Sequence, residues 1–356
     1  MWYGEDMFAT KRKEPLCSGS QFIYLDQNIL DAFLNDKLIN LKEVLTRQFQ
    51  VVYSNETLEE IKRAGEASSK YSDAFLSLLE RMNAVHISVV LDSDFHETDC
   101  VKVVEGDPRE IFLKYCESNP IFNDLAESMR QIGFKVCGGR QGESLEDIAK
   151  GSVDAFENLS NYIDELICEI DSSLPEIAQK LRAENVRCFD EYKSLSEKNS
   201  RKMAEHIVDE KNWSGIKEFR QHFSLEPYRF NNIKPPNILN KIWDVMISSK
   251  KMPKDLDSID DFFMFNKQEL IPGQPFLRHQ KVLGAYNILN TIGYYPDKPL
   301  HKNRGFKRAT SDQMHVSLAS FCNCLITADE RLYKKAEAIY EYLDVPTKVM
   351  YFDKII

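Results

Sequence analysis

The segment QFIYLDQNIL, residues 21–30, gives the clearest indication of the fold. Its largely apolar residues 22–25 are typical of a strand that is buried on both faces of a sheet. The strand runs directly into the carboxylate of Asp26, after which Ile29 and Leu30 begin a helical spacing. A buried strand that ends on a charged side chain indicates that this charge has a specific task.

The N-terminal part of the chain alternates predicted strands and helices. Strand patterns cover 21–25, 49–53 and 84–91, and helical patterns cover 27–47 and 54–64. Strand–helix–strand order with short connections predicts a parallel sheet with helices packed on its faces.

The C-terminal part repeats this order. We expect helices over 310–323 and 330–343, and strands over 324–329 and 347–352. If the two ends of the chain meet, five strands form one sheet of an α/β domain.

The middle of the chain has a different pattern. Residues 95–300 are mainly helical in spacing, with prolines punctuating the later part, and they show few strand signals. The sequence therefore predicts that 1–94 and 301–356 form the two halves of one domain, separated by a mainly helical insertion over 95–300.

Composition restricts the classes of protein that remain. With 356 residues the chain is longer than a common single domain, and 46 basic against 56 acidic residues give a net charge of −10. This balance argues against a surface coated in Lys and Arg for non-specific nucleic-acid binding, but it allows a nuclease with an acidic site and local basic contacts. Eight scattered Cys, no signal-peptide pattern and no long apolar run predict a cytoplasmic protein that does not cross a membrane.

Acidic residues recur where the predicted strands end. Asp26 follows the first strand and Asp329 follows CLITA, while Asp312 opens the helix before that strand. Glu59 and Glu60 lie early in the helix after the second strand, and either could be the residue that joins the others. Carboxylates that converge at one sheet edge repel each other, and a divalent cation with oxygen ligands relieves that repulsion.

Each acid also has a structural explanation. Asp312 and Asp329 are good helix N-caps, and Glu59 and Glu60 favour the positive end of a helix dipole. Only the joint placement of these acids at strand ends favours a metal site.

Three segments together resemble the motifs of PIN-domain nucleases: FIYLDQNILDAFL, VVYSNETLEEIKRA and SDQMHVSLASFCNCLITADERL. The resemblance covers about 20–92 and 305–352, and it implies a PIN-like three-layer domain with a five-stranded, mainly parallel sheet. An insertion of about two hundred residues departs from that compact family. The residues that match the family's acids are Asp26, Glu60, Asp312 and Asp329.

The resemblance implies that these four acids bind Mg²⁺ or Mn²⁺ and catalyse hydrolysis of phosphodiester bonds. Asn28 would orient Asp26, and Thr327 would steady an acid or touch phosphate. It also implies a nucleic-acid substrate, with single-stranded RNA preferred over DNA.

Basic residues directly precede Asp312. We interpret 301–308 as a flexible, glycine-containing loop that offers phosphate contacts from Lys302, Arg304, Lys307 and Arg308. The alternative is a solvated loop. His315 is either a substrate-side residue or, more commonly for a histidine at such a position, a packed one.

A second class of function stays open at this stage. A PIN-like scaffold with weak or no catalysis could bind a regulatory protein, or a second copy of itself, through the helical insertion. Such a protein would suit a stress or phage-defence system.

Overall fold

A computed structural model gives the fold of residues 21–92, 97–117, 120–171, 173–205, 207, 209, 211–226, 229–249, 251–252, 256–266, 276–297 and 299–352. The first twenty residues lie outside the described residues, so the prediction that they form no signal peptide stays a prediction.

The described strands form one mixed sheet. In chain order they are β1 Phe22–Leu25, β2 Gln50–Tyr53, β3 Val85–Leu91, β4 Glu97–Val104, β5 Cys324–Thr327 and β6 Lys348–Tyr351. The spatial order is β4-β3-β2-β1-β5-β6, and only the β3–β4 pair is antiparallel. The two ends of the chain therefore share a sheet, as predicted.

The helices of the described residues follow the chain as α1 Gln27–Leu34, α2 Ile39–Gln48, α3 Asn55–Ala67, α4 Ser69–Arg81, α5 Pro108–Cys116, α6 Pro120–Val136, α7 Leu145–Asp171, α8 Pro175–Ala204, α9 Ile216–His222, α10 Ile238–Ser248, α11 Ile259–Phe262, α12 Arg278–Ile292, α13 Asn303–Ala319 and α14 Glu330–Tyr342.

Alternation along β1 separates the two faces of the sheet. All four residues of β1 are buried. Ile23 and Leu25 belong to a core cluster formed with side chains of α1 to α4, whereas Tyr24 bonds to His315 of α13. Since successive side chains of a strand point to opposite faces, helices cover both sides of β1. The arrangement is consistent with a three-layer α/β fold.

Strand order reverses at β1. The strand β2 pairs on one side of β1 and β5 pairs on the other, both in parallel. In an open α/β sheet the crevice beyond the carboxyl ends of two such strands is the usual ligand site. Asp26 follows β1 and Asp329 follows β5 by two residues, so both acids lie at this edge.

The structure differs from the prediction in the helix that follows β1 and in the number of strands. The helix predicted over 27–47 is two helices, because Asp36 and Leu38 adopt left-handed φ angles of 53° and 55° between them. The sheet has a sixth strand, β4, where a helical insertion was predicted to begin. Its pattern was easily missed because this antiparallel edge strand leaves most of its side chains partly or fully exposed.

The chain divides into two compact units. The first contains the described residues of 1–116, 227–296 and 310–356, and the second contains those of 117–226 and 297–309. The predicted boundaries at 95 and 300 differ from this division, because β4, α5 and α10 to α12 belong to the unit that contains the sheet. The second unit is helical, with α6 to α9 as its main elements.

We predicted a flexible loop over 301–308. This prediction is wrong from residue 303 onward, because α13 begins at Asn303. Gly305 lies inside this helix. A Cβ there would lie 2.2 Å from the carbonyl oxygen of Pro299, so glycine permits close packing instead of conferring flexibility.

Among the described residues, no helix combines the length and apolar character needed to cross a membrane.

Candidate active site

Asp26 is a buried carboxylate at the end of β1, only 3% exposed. Its Oδ1 accepts a hydrogen bond from the backbone N of Gln27 at 2.7 Å, and its Oδ2 accepts one from the hydroxyl of Thr327 at 2.6 Å. The pKa of Asp26 is raised to about 6, chiefly by burial. His315 and the Thr327 hydrogen bond oppose this rise, and the charges of Glu60 and Asp329 add to it. The site therefore holds a negative charge that the protein itself disfavours.

Thr327 joins Asp26 to the start of α14. Its hydroxyl donates to Asp26 and accepts the backbone N–H of Asp329 at 3.0 Å. Asp329 in turn caps α14, because its Oδ1 accepts the backbone N–H groups of Arg331 at 2.8 Å and Leu332 at 3.2 Å. The capping role anticipated for Asp329 is thus present, at a place where its charge also acts on Asp26.

Glu60 projects from α3 toward α13. Its Oε1 accepts the hydroxyl of Ser311 at 2.9 Å and its Oε2 lies 3.0 Å from Nε2 of His315. Burial raises the pKa of Glu60, but the charge and hydrogen bond of His315 and the hydrogen bond of Ser311 outweigh it, so the pKa lies below its usual value. Glu59 instead accepts a hydrogen bond from Tyr115 at 2.9 Å. The structure thus directs Glu60, and not Glu59, toward the other site residues.

His315 lies in the interior, with 1% of its surface exposed. Its Nδ1 is 2.8 Å from the hydroxyl of Tyr24, which is 2.7 Å from the hydroxyl of Ser54. Burial lowers the pKa of His315, but Tyr24, Glu60 and Asp26 together raise it well above its usual value. A protonated ring donates from both nitrogens, which fits Glu60 and Tyr24 as acceptors. The structure therefore shows the packed role, and the raised pKa of His315 favours a protonated ring beside Glu60.

Asp312 is 8% exposed and lies in the middle of α13, so the prediction that it opens and caps this helix is wrong. It follows Ser311 and precedes His315 by three residues, so helical geometry places Asp312 and His315 on one side of the helix. Because His315 bonds to Tyr24 of β1, this side of α13 faces the sheet near Asp26.

The site also contains residues that the sequence analysis did not assign. Glu56 and Arg63 lie four residues before and three after Glu60 on α3, and both approach Ser311. The Ser311 hydroxyl oxygen is 2.6 Å from Oε1 of Glu56 and 3.2 Å from Nη2 of Arg63. The spacing of 56, 60 and 63 marks one face of a helix, a signal that was available in the sequence.

The predicted basic residues belong to the second unit. Lys302, Arg304, Lys307 and Arg308 are all exposed, and the last three lie in the first two turns of α13. Within that unit, Nζ of Lys307 is 3.8 Å from Oε1 of Glu127.

The side chains near Asp26 fit a hard divalent cation in their chemistry. Oδ1 of Asn28 and Oε1 of Gln27 are buried oxygens without a hydrogen-bond partner in the described part of the chain. Together with Asp26 and Asp329 they offer the oxygen ligands that Mg²⁺ or Mn²⁺ prefers. Within the described ranges, however, no group of three or more His, Cys, Asp or Glu side chains is already arranged around a metal position.

No protein-family model, curated protein or solved structure matches the chain.

Proposed function

We propose that the protein is a metal-dependent nuclease that hydrolyses phosphodiester bonds, with single-stranded RNA as its preferred substrate. The observation that carries the proposal is the buried Asp26 carboxylate, which lies at the strand-order reversal of the sheet and is held by Thr327. Its raised pKa supports a functional site, because a group this perturbed in a sheet-edge crevice is unusual for a simple helix cap.

Asp26, Asp312 and Asp329 would hold Mg²⁺ or Mn²⁺, with Asn28 as an amide-oxygen ligand and Glu60 acting through water. When bound, such a cation activates water as a nucleophile and stabilises charge on the leaving oxygen. Burial and the charges of Glu60 and Asp329 make it unfavourable to ionise Asp26, and a bound cation would remove this penalty.

The other residues of the site fix the geometry. Thr327 orients Asp26 through one hydrogen bond and fixes the entry to α14 through another. His315 and Ser311 occupy both oxygens of Glu60, which locks α3 to α13. A site supported in this way needs little rearrangement during the reaction.

Single-stranded RNA is preferred because the sequence motifs resemble PIN-domain nucleases. An extended strand also presents its phosphates individually to a buried acidic site, which a rigid duplex does not. Lys302, Arg304, Lys307 and Arg308 remain proposed phosphate contacts, since they are exposed and a phosphate backbone requires cations.

The test is cleavage of end-labelled single-stranded RNA and of DNA with the same sequence, in Mn²⁺, in Mg²⁺ and in EDTA. We expect RNA products with the wild type in either metal, and no products in EDTA or with Asp26→Asn. Asp31→Asn, an exposed change on the same helix, is the matched control and should cut like the wild type. A wild type that cuts neither substrate in any metal would refute the proposal and favour the scaffold alternative.

A further inference from the structure

Arg63 is a cation at the acidic face of α3 that the proposed mechanism has not used. Its Nη2 lies 3.5 Å from Oε1 of Glu56 and 3.6 Å from Oε1 of Glu60, and it donates to the Ser311 hydroxyl at 3.2 Å. Its Nε donates to the backbone carbonyl of Glu59 at 3.4 Å. These contacts place the guanidinium beside the proposed site.

The same contacts leave hydrogen-bonding capacity on Arg63. A guanidinium has five N–H donors, and Nη1 has no hydrogen-bond partner within the described part of the chain. The side chain is 32% exposed, in contrast to the buried His315. Arg63 is therefore oriented and accessible at once.

The distances argue against a purely structural ion pair. Charge-assisted N–H···O bonds that hold a structure together are about 2.7–2.9 Å long, and the two carboxylate contacts of Arg63 exceed this clearly. Loose, part-exposed pairs of this kind contribute little to stability. A guanidinium held loosely by two carboxylates remains able to bind a stronger anion.

We propose that Arg63 binds a non-bridging phosphate oxygen of the substrate strand, beside Glu60. Its Nη1 offers two N–H donors to such an oxygen, and a cation held there stabilises the negative charge that grows during phosphoryl transfer. This inference rests on the proposed nuclease function and adds a substrate contact from the unit that contains the acids. Glu56 and Glu60 then serve to orient Arg63.

The experiment compares Arg63→Gln, Arg63→Lys and Lys62→Gln for cleavage of a labelled twelve-nucleotide single-stranded RNA in Mn²⁺. Lys62 is the matched control, because it loses the same charge from the same helix but its Nζ lies over the ring of Tyr115, 5.9 Å from the centroid. Losing a charge-assisted contact should lower kcat/KM about ten- to hundredfold in Arg63→Gln. Arg63→Lys should recover part of this loss, since it keeps the positive charge but lacks the guanidinium group.

The salt dependence separates a phosphate contact from a structural role. For a single strand, each phosphate contact contributes about 0.7 to the slope of log affinity against log salt. Arg63→Gln should therefore reduce the slope of log kcat/KM by about 0.7, and Lys62→Gln should leave it unchanged. The same slopes are measured for RNA binding in EDTA by fluorescence anisotropy.

A double variant excludes simple neutralisation of Glu56. If Arg63 only balances that carboxylate, Glu56→Gln/Arg63→Gln should regain wild-type cleavage, and this would overturn the inference. The inference would also be overturned if Arg63→Gln showed the same salt slopes as the wild type while the wild type still cleaved RNA. That outcome would leave the nuclease function intact. A wild type that neither binds nor cleaves RNA would instead refute the proposed function, and the Arg63 inference with it.

Discussion

Replacing Asp26 with Asn should stabilise the metal-free protein while removing its metal-dependent properties. Asn keeps the shape of Asp but carries no charge, and burial is the largest cause that disfavours that charge. The pKa of Asp26 is about 6 in the folded protein against an ordinary value of 3.8 for an aspartate. Since one pKa unit corresponds to 1.36 kcal/mol, ionised Asp26 costs the folded state about 3 kcal/mol.

The sign of the pH dependence follows from linkage. Between about pH 4 and pH 6 the unfolded chain releases this proton before the folded protein does, so stability falls as the pH rises. The penalty is about 1 kcal/mol at pH 4.5 and reaches about 3 kcal/mol at pH 7.5. The advantage of Asp26→Asn should grow over the same range, with 3 kcal/mol as its upper bound, because Asn also perturbs the bonds to Gln27 and Thr327.

The assay is urea unfolding in EDTA at several pH values, followed by circular dichroism, for the wild type, Asp26→Asn and Asp31→Asn. Asp31 is exposed on the same helix and should show no pH-dependent difference from the wild type. An Asp26→Asn protein that is less stable than the wild type at pH 7.5, or whose advantage does not change with pH, would refute this reasoning.

Three further substitutions test the surroundings of Asp26. Thr327→Val removes the hydroxyl that donates to the buried Asp26 carboxylate. It should lower the free energy of unfolding by about 1.5–3 kcal/mol at pH 7.5, but by less at pH 4.5, where Asp26 is protonated. Urea unfolding at the two pH values checks this. Tyr24→Phe leaves two buried partners without its hydroxyl and should lower the free energy of unfolding by about 1–3 kcal/mol; an unchanged unfolding curve would contradict the buried hydrogen-bond chain. Glu60→Gln should reduce RNA cleavage strongly, whereas Glu59→Gln should cleave within a few-fold of the wild type, because Glu59 bonds elsewhere; equal losses in a cleavage assay would contradict the assignment.

The local parts of the fold were predictable from the sequence. The run of apolar residues before Asp26 identified a doubly covered strand, and the alternation of strands and helices at both ends predicted one shared, mainly parallel sheet. The edge strand β4 was not predicted, because its charged, exposed side chains weaken the strand pattern. Gly305 was misread as a sign of flexibility, since the close approach of Pro299 that requires glycine is visible only in the structure.

The candidate site was only partly predictable, because its contacts join elements far apart in the sequence. The sequence placed Asp26, Thr327 and Asp329 at strand ends, and the structure brings these together. Its spacing alone could not choose between Glu59 and Glu60, since adjacent helix residues differ only by rotation about the axis. That choice, like the roles of Glu56 and Arg63, depends on how α3 packs against α13.

If the carboxylates around Asp26 bind a divalent cation, that cation stabilises the folded protein, and a thermal titration with Mn²⁺ measures this stabilisation. A ligand that binds only the folded state stabilises it by about 2.7 kcal/mol at one hundred times its Kd. We expect the Tm of the wild type and of Asp31→Asn to rise progressively with Mn²⁺, while the Tm of Asp26→Asn stays constant. A wild-type Tm that does not change with Mn²⁺, or an Asp26→Asn protein that responds as the wild type does, would rule out metal binding at Asp26.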